Sequence, residues 1–345
     1  MSDRPLLEVR DLTVQFQLGG GLFAPKRTLT AVNGVSFEVM RGETLAIVGE
    51  SGSGKSTIAR AVMRLLEPAA GTVHLDGDNL TALSGAALRA VRPKLQMVFQ
   101  DPYSSLDPSK LIADIVAEPL VVHGRARGGD AAALDRTVQT LLEQVGLGAV
   151  HMNRYPYEFS GGQRQRIAIA RAIALEPKLM VLDEAVSALD VSTQNQILNL
   201  LEDLRTRTGM AYLFISHDLG VVQHVADRVA ITYLGRIVET GPAARIFGAC
   251  AHPYTQALLS AVPEPNPRRQ RARRHQPLAG EIPSPLAPPS GCPFHARCPH
   301  AMDVCRREMP AHTAVDGGGS VACHLQTEGP RLAGKPLAAD TPTPP

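Results

Sequence analysis

The chain has 345 residues, a formal net charge of +2, and 44% hydrophobic and 20% charged residues. That balance suits one large or two unequal domains and excludes disorder of the whole chain. No strong overall field points to nucleic acid, and with no Trp and only 4% aromatic residues an extended base-stacking platform is excluded.

The chain opens without an apolar signal core. No apolar run approaches the ~18 residues of a membrane span, since the stretch from Leu111 to Val122 is broken by Asp114, Glu118 and Pro119. A cytosolic chain without a span of its own is expected, one that can still dock on a membrane protein. Leu7–Gln17, Leu29–Val39 and Thr72–Leu75 are predicted to form an antiparallel β layer. Thr44–Val48, Leu179–Leu182 and Ala211–Ile215 are too short for buried helices and are predicted as buried strands. Ser56–Leu66, Ala131–Val145, Gln163–Leu175 and Thr193–Thr206 are predicted helices. The class is therefore α/β. Each buried strand ends in a polar or glycine cluster, and ligand sites in α/β sheets lie at such ends, so one shared site is expected.

The first cluster, Gly49-Glu50-Ser51-Gly52-Ser53-Gly54-Lys55-Ser56, fits the P-loop pattern. Glycines let successive N–H groups turn towards phosphate oxygens, and the following helix points its N-terminus at the anion. Gly49, Ser51, Gly52, Ser53, Gly54, Lys55, Ser56 and Thr57 are the candidate nucleotide ligands. Lys55 supplies charge to the terminal phosphates and Ser56 a hydroxyl for Mg²⁺. At the second strand end, Asp183 is the candidate Mg²⁺ carboxylate and Glu184 the candidate base that polarises water. A second anion cradle, Ser160-Gly161-Gly162-Gln163, opens a helix 20 residues before Asp183 and has no lysine.

With these motifs together, residues 5 to about 325 resemble the ATP-binding subunit of ABC transporters. Phe159–Gln163 resembles the family signature, which usually has Leu at the first position. Ser187-Ala188-Leu189-Asp190 matches the D-loop, Gln100 the Q-loop glutamine and His217 the switch histidine. Phe16 stands where the family stacks an aromatic on adenine, with Phe23 a nearby rival. The resemblance implies a P-loop NTPase fold of ABC type with an antiparallel β layer and a helical subdomain at about 92–165, within an ATPase domain of 5–260. It implies ATP and Mg²⁺, the metal held by Ser56, Gln100 and Asp183, and catalysis by Glu184, His217, Gln100 and Lys55. Ser160, Gly161, Gly162, Gln163 and Asp190 would close over nucleotide held by a second subunit.

Ala185-Val186, the insertion Leu18–Arg27 and the C-terminal cysteine segment resemble the dipeptide/oligopeptide importer branch, in its F-type ATPase subunit. That branch implies a related second ATPase subunit in a heterodimer, two membrane permease subunits and, indirectly, an extracytoplasmic solute-binding protein. It implies a peripheral place on the cytoplasmic face of the inner membrane, and no nucleic acid. The surface near Gln100 and Tyr103-Ser104-Ser105 would receive the membrane subunits. The alternative is a soluble ABC-type ATPase acting on the ribosome or DNA; a single P-loop and the lack of a sustained heptad run argue against it.

Of the 27 prolines, 17 lie from Pro253 onward. Residues 261–290 are expected as a Pro/Arg-rich linker, 291–325 as a small Cys-rich extension and 326–345 as a flexible tail. The arginines of 268–274 read as a solvated linker or as a contact with anionic lipid. Cys292, Cys298, Cys305 and Cys323 have the spacing C-x5-C-x6-C-x17-C in a segment poor in apolar residues, which suggests a metal staple, Zn²⁺ or Fe–S, with buried or free thiols the alternative. The family resemblance tips this to a [4Fe–4S] cluster. His295, His300 and His324 are expected as surface histidines, with a place as substitute ligands the alternative, and Cys250 is read as a plain small residue. The linker is expected to keep this segment apart from the P-loop.

Overall fold

The protein is described by a computed structural model, which covers residues 4–19, 27–125, 131–263, 266, 268 and 280–327. Phe23 and most of the Leu18–Arg27 insertion, the arginines beyond Arg268 in the linker, and the tail from 328 lie outside the described residues.

In chain order the elements are β1 (Leu7–Leu18), β2 (Arg27–Val39), β3 (Thr44–Val48), α1 (Lys55–Val62), β4 (Ala70–Leu75), β5 (Asp78–Asn79), α2 (Gly85–Val91), β6 (Leu95–Val98), α3 (Pro102–Ser105), α4 (Ile112–Val122), α5 (Ala131–Gln144) and α6 (Gly161–Ile173). Then come β7 (Leu179–Asp183), α7 (Val191–Thr208), β8 (Ala211–Ser216), α8 (Leu219–Val225), β9 (Arg228–Tyr233), β10 (Arg236–Pro242), α9 (Ala243–Ala249), α10 (Pro253–Ser260), α11 (Asp303–Arg307), β11 (His312–Ala314) and β12 (Ser320–Ala322).

The chain divides into two compact units. The first consists chiefly of residues 74–215, with 38–44. Its strands β6, β7 and β8 are parallel, with Val98 opposite Leu182 and Leu182 opposite Phe214. Every residue of β7 and β8 is buried, which is why these runs are continuously apolar rather than alternating. Helix α4 is made by the stretch from Leu111 to Val122, which is too broken by polar residues for a membrane span. Its Ile112, Ile115, Val116 and Leu120 form one buried stripe at helical spacing, and Pro119 is tolerated inside it. No helix among the described residues is long and apolar enough to cross a membrane.

The second unit joins 9–37, 45–73 and the chain from Ser216. Here β3 runs parallel to β9, pairing Val48 with Ile231, and β9 turns back antiparallel into β10. The segments expected to form a β layer lie in one sheet of order β2-β1-β4-β5, in which the short β5 pairs antiparallel with β4. Helix α1 stops at Val62, four residues before the predicted end at Leu66. The reason is local: Arg64 takes φ 52°, and the N–H groups of Leu65 and Leu66 both turn back to the Arg60 carbonyl.

The C-terminal segment is built into this second unit. β12 pairs antiparallel with β10 (Glu239 with Val321) and β11 pairs with β12. Val321, Cys323 and Leu325 are buried with Ala251. Phe294 is 1% exposed, its ring edge-on to Tyr233 and close to Tyr254, each at 5.3 Å. Burying one such ring stabilises by about 1.5–3 kcal/mol. A fully buried carboxylate, Glu239, is matched by the Arg245 guanidinium and the N–H groups of Ala251 and His252. Charge and hydrogen bonds offset the cost of taking that carboxylate out of water.

Candidate functional site

The phosphate cradle belongs to the second unit. It turns from the end of β3 into α1, and Gly54 caps that helix with φ 98°. Gly49 is required by space: a Cβ there would stand 2.3 Å from the Thr232 carbonyl oxygen. Behind the loop, the Ser53 and Thr232 hydroxyls lie 3.1 Å apart, and Thr232 Oγ1 donates to the Val48 carbonyl at 3.0 Å. Lys55 is 5% exposed. Its Nζ donates to the Gly49 and Glu50 carbonyls at 2.8 and 3.0 Å. A buried ammonium drawn onto loop carbonyls, at a helix N-terminus, is a site suited to an anion. Ser51 and Gly52 are exposed, and Ser56 and Thr57 half-buried at the start of α1. Phe16, on β1, is half-buried in this unit, and His217 is exposed between β8 and α8. Asp218, next to it, caps α8 through the Gly220 and Val221 N–H groups.

The first unit holds Gln100, the acids and the second cradle. Asp183, 2% exposed, ends β7. Glu184 takes φ 47°, a backbone conformation costly for an L-residue, and its N–H donates to the Ile215 carbonyl at 3.0 Å. Gln100 Nε2 donates to Glu184 Oε2 at 2.9 Å, so two residues 84 apart in sequence meet. Ser160 caps α6 in a closed box: its hydroxyl accepts from the Gln163 N–H at 3.3 Å, and Gln163 Oε1 accepts from the Ser160 N–H at 3.0 Å. At Gly162 a Cβ would stand 2.2 Å from Thr193 Cγ2, so the start of α6 approaches the start of α7 more closely than any side chain permits. Gly161 faces Leu189 Cδ2. Asp190 caps α7, accepting from the Thr193 N–H and hydroxyl and the Ser192 hydroxyl. Those bonds pull its carboxyl down to about 2, the Thr193 N–H foremost.

The cysteines do not form the expected ligand group. Among the described residues no three or more His, Cys, Asp or Glu side chains are arranged to hold a metal ion. All five cysteines are free thiols, Cys298 half-buried and the others buried. Burial pushes Cys292 and Cys298 up to about 11 and Cys323 up to about 12, so they are neutral thiols at pH 7. Neighbouring cysteines add a smaller push in the same direction. Two of the three candidate substitute ligands make other contacts: a ring nitrogen of His295 meets the Cys292 carbonyl at 2.8 Å, and His324 Nε2 the Glu308 carbonyl at 3.0 Å. The buried Cys250 matches its reading as a small residue.

The linker does not keep the cysteine segment apart from the P-loop. Arg297, which directly precedes Cys298, forms an ion pair with Glu50 at 2.7 Å. The residues that the sequence reading missed are these two, with Thr232 and Tyr254 behind the loop. Nothing local marks them, because each contact bridges 179 to 247 positions.

Known protein families match the chain over two stretches. The family described as ABC transporter matches residues 32–187, and the one described as oligopeptide/dipeptide transporter, C-terminal region, matches residues 238–305. A Sinorhizobium fredii protein named "Probable peptide ABC transporter ATP-binding protein" is 50% identical over 94% of this chain and 91% of its own length. A di/tripeptide transport ATP-binding protein of Pseudomonas aeruginosa is 48% identical over 92% of this chain and 97% of its own. Among solved structures, the ATP-binding cassette MJ0796, a dimer in a post-hydrolysis state bound to ADP and Pi, is similar at TM-score 0.61 and 28% identity, over 69% of this chain and 98% of that one.

Proposed function

We propose, for a chain that belongs to the ABC transporter ATP-binding proteins, that it hydrolyses ATP to drive uptake of di- or oligopeptides through separate membrane subunits. Its fold is that of the P-loop ABC ATPases and its activity that of an ABC-type ATPase. The observation that carries the reading of two ATPase subunits working together is the pairing, in one chain, of a lysine-bearing phosphate cradle with a second, lysine-free cradle on another helix start. A single nucleotide needs one such cradle, so the second serves another subunit's nucleotide. The soluble alternative acting on the ribosome or DNA is not favoured, since the similar full-length proteins are peptide transport ATP-binding proteins.

In this reading Gly49 and Ser51–Thr57 receive the phosphates, with Lys55 balancing their charge. Ser56, Gln100 and Asp183 would hold Mg²⁺, which when bound neutralises phosphate charge. Glu184 accepts the proton of the attacking water, and Gln100 holds that carboxylate in place through their hydrogen bond. His217 faces the terminal phosphate, and Phe16 stacks on the base. Ser160–Gln163 and Asp190 close over nucleotide on a related second ATPase subunit. ATP binding thereby draws the two subunits together and hydrolysis parts them, a population shift read out by two membrane permeases. The solute reaches those permeases from an extracytoplasmic binding protein, and the chain works peripherally at the cytoplasmic face.

A metal centre at Cys292, Cys298, Cys305 and Cys323, [4Fe–4S] ahead of zinc, is supported by the thiol donor set alone and has no part in the ATP chemistry. Iron, sulfide and zinc analysis of anaerobically purified protein tests it; absence of all three removes it. The transport reading is tested by phosphate release. The chain alone hydrolyses ATP weakly, and adding its partner ATPase and membrane subunits raises the rate. Full, solute-coupled turnover by the isolated chain overturns the reading.

A further inference from the structure

One residue of the P-loop, Glu50, is held at all three of its polar groups. Its carbonyl accepts from Lys55 Nζ at 3.0 Å. Its N–H donates to the Tyr254 hydroxyl at 3.0 Å. Its carboxylate takes both arms of the Arg297 fork: Nη1 to Oε2 at 2.7 Å and Nη2 to Oε1 at 3.1 Å. The Arg297 side chain is 5% exposed and that of Glu50 24%. Arg297 Nη1 also reaches the Tyr233 hydroxyl at 3.4 Å. Tyr233, Tyr254 and Phe294 pack edge-to-face or tilted around the pair, with centroids 4.7 to 5.3 Å apart. The bond to Glu50, more than any other cause, raises the Arg297 pKa.

We propose that Arg297 is a positioning residue of the phosphate cradle: held through Glu50, it cancels a carboxylate charge that would otherwise oppose nucleotide binding. The argument rests on reading 49–56 as that cradle. A carboxylate on a loop that receives a polyanion repels it, and the more strongly where walls exclude water. A bidentate guanidinium answers that charge with fixed geometry, which an ammonium cannot reproduce. Removing Arg297 leaves the carboxylate uncompensated and free to turn on Lys55, the loop's own cation. The C-terminal segment, 247 residues away, thus supplies a part of the nucleotide site.

Equilibrium binding of MgATP to the full-length chain tests this, with steady-state turnover in the assembled transporter. Arg297→Ala is expected to weaken MgATP binding on the order of tenfold and to raise KM alike, with kcat within about twofold. Arg297→Lys is expected to fall between. Arg297→Ala combined with Glu50→Gln is expected to restore most of the affinity, because the uncompensated charge is gone. Thermal melting of each variant separates this from a merely structural role, in which affinity would fall and recover in step with the melting temperature. Wild-type affinity in Arg297→Ala, or a double variant as weak as the single one, overturns the proposal. Wild-type protein that binds MgATP no better than Lys55→Ala overturns instead the reading of the loop as a phosphate cradle.

Discussion

The two glycine-rich helix starts, at α1 and at α6, use one local device and differ in what stands behind it. The α1 loop is backed by distant residues: Thr232 against Gly49 and Ser53, Tyr254 and Arg297 on Glu50. The α6 start is closed mainly by its own residues, Ser160 and Gln163, and presents an exposed serine. A cradle braced from many sides holds its N–H groups in place before any ligand arrives, which lowers the ordering cost of binding. A start that closes on itself is cheap to build at a surface, but it binds an anion only when something else brings one to it. That contrast is why we assign the first to the chain's own nucleotide and the second to a partner's.

The sharpest way to break the assignment is at Glu184. Glu184→Gln keeps the shape and loses the proton acceptor, so phosphate release in the complex should fall about 10²–10⁴-fold with MgATP affinity kept. Loss of affinity without loss of turnover would place Glu184 elsewhere in the chemistry. Packing at the second cradle is the next largest effect. Gly162→Ala drives a methyl into Thr193, whose hydroxyl is already bound to Asp190, and should cost about 1–3 kcal/mol in denaturant unfolding. An unchanged midpoint would mean that the α6 and α7 starts part freely. The smallest effect sharpens the contrast most. Ser160→Ala removes the cap and should cost about 1 kcal/mol. It should leave MgATP affinity of the isolated chain unchanged and slow turnover only in the assembled complex. Weaker binding in the isolated chain would give the second cradle a share in the chain's own site.

Much of this was legible in the chain. β3, β7 and β8 announce themselves because strands buried on both faces must be continuously apolar. The P-loop and the Ser160 start are visible because close backbone approach leaves room only for glycine at fixed places. What sequence hides is long-range or very short. β11 and β12 have three residues each, too few for any period, and only the pairing of β12 onto β10 and of β11 onto β12 makes them strands. The Arg297–Glu50 pair has no local signature. The cysteine spacing points to a metal, whereas no three or more His, Cys, Asp or Glu side chains among the described residues are arranged to hold one.

The pairing of β12 onto β10 also bears on the solubility of the chain. A strand with one side unpaired offers a row of N–H and C=O groups that another chain can extend into an aggregate. β10 is seven residues long and largely buried, an open template if its outer side were bare. β12 covers part of that side, and β11 beyond it has only three residues, two of them exposed. A chain cut after α10 would keep the P-loop and lose this cover, so its failure mode would be sticking to copies of itself as well as weaker nucleotide binding.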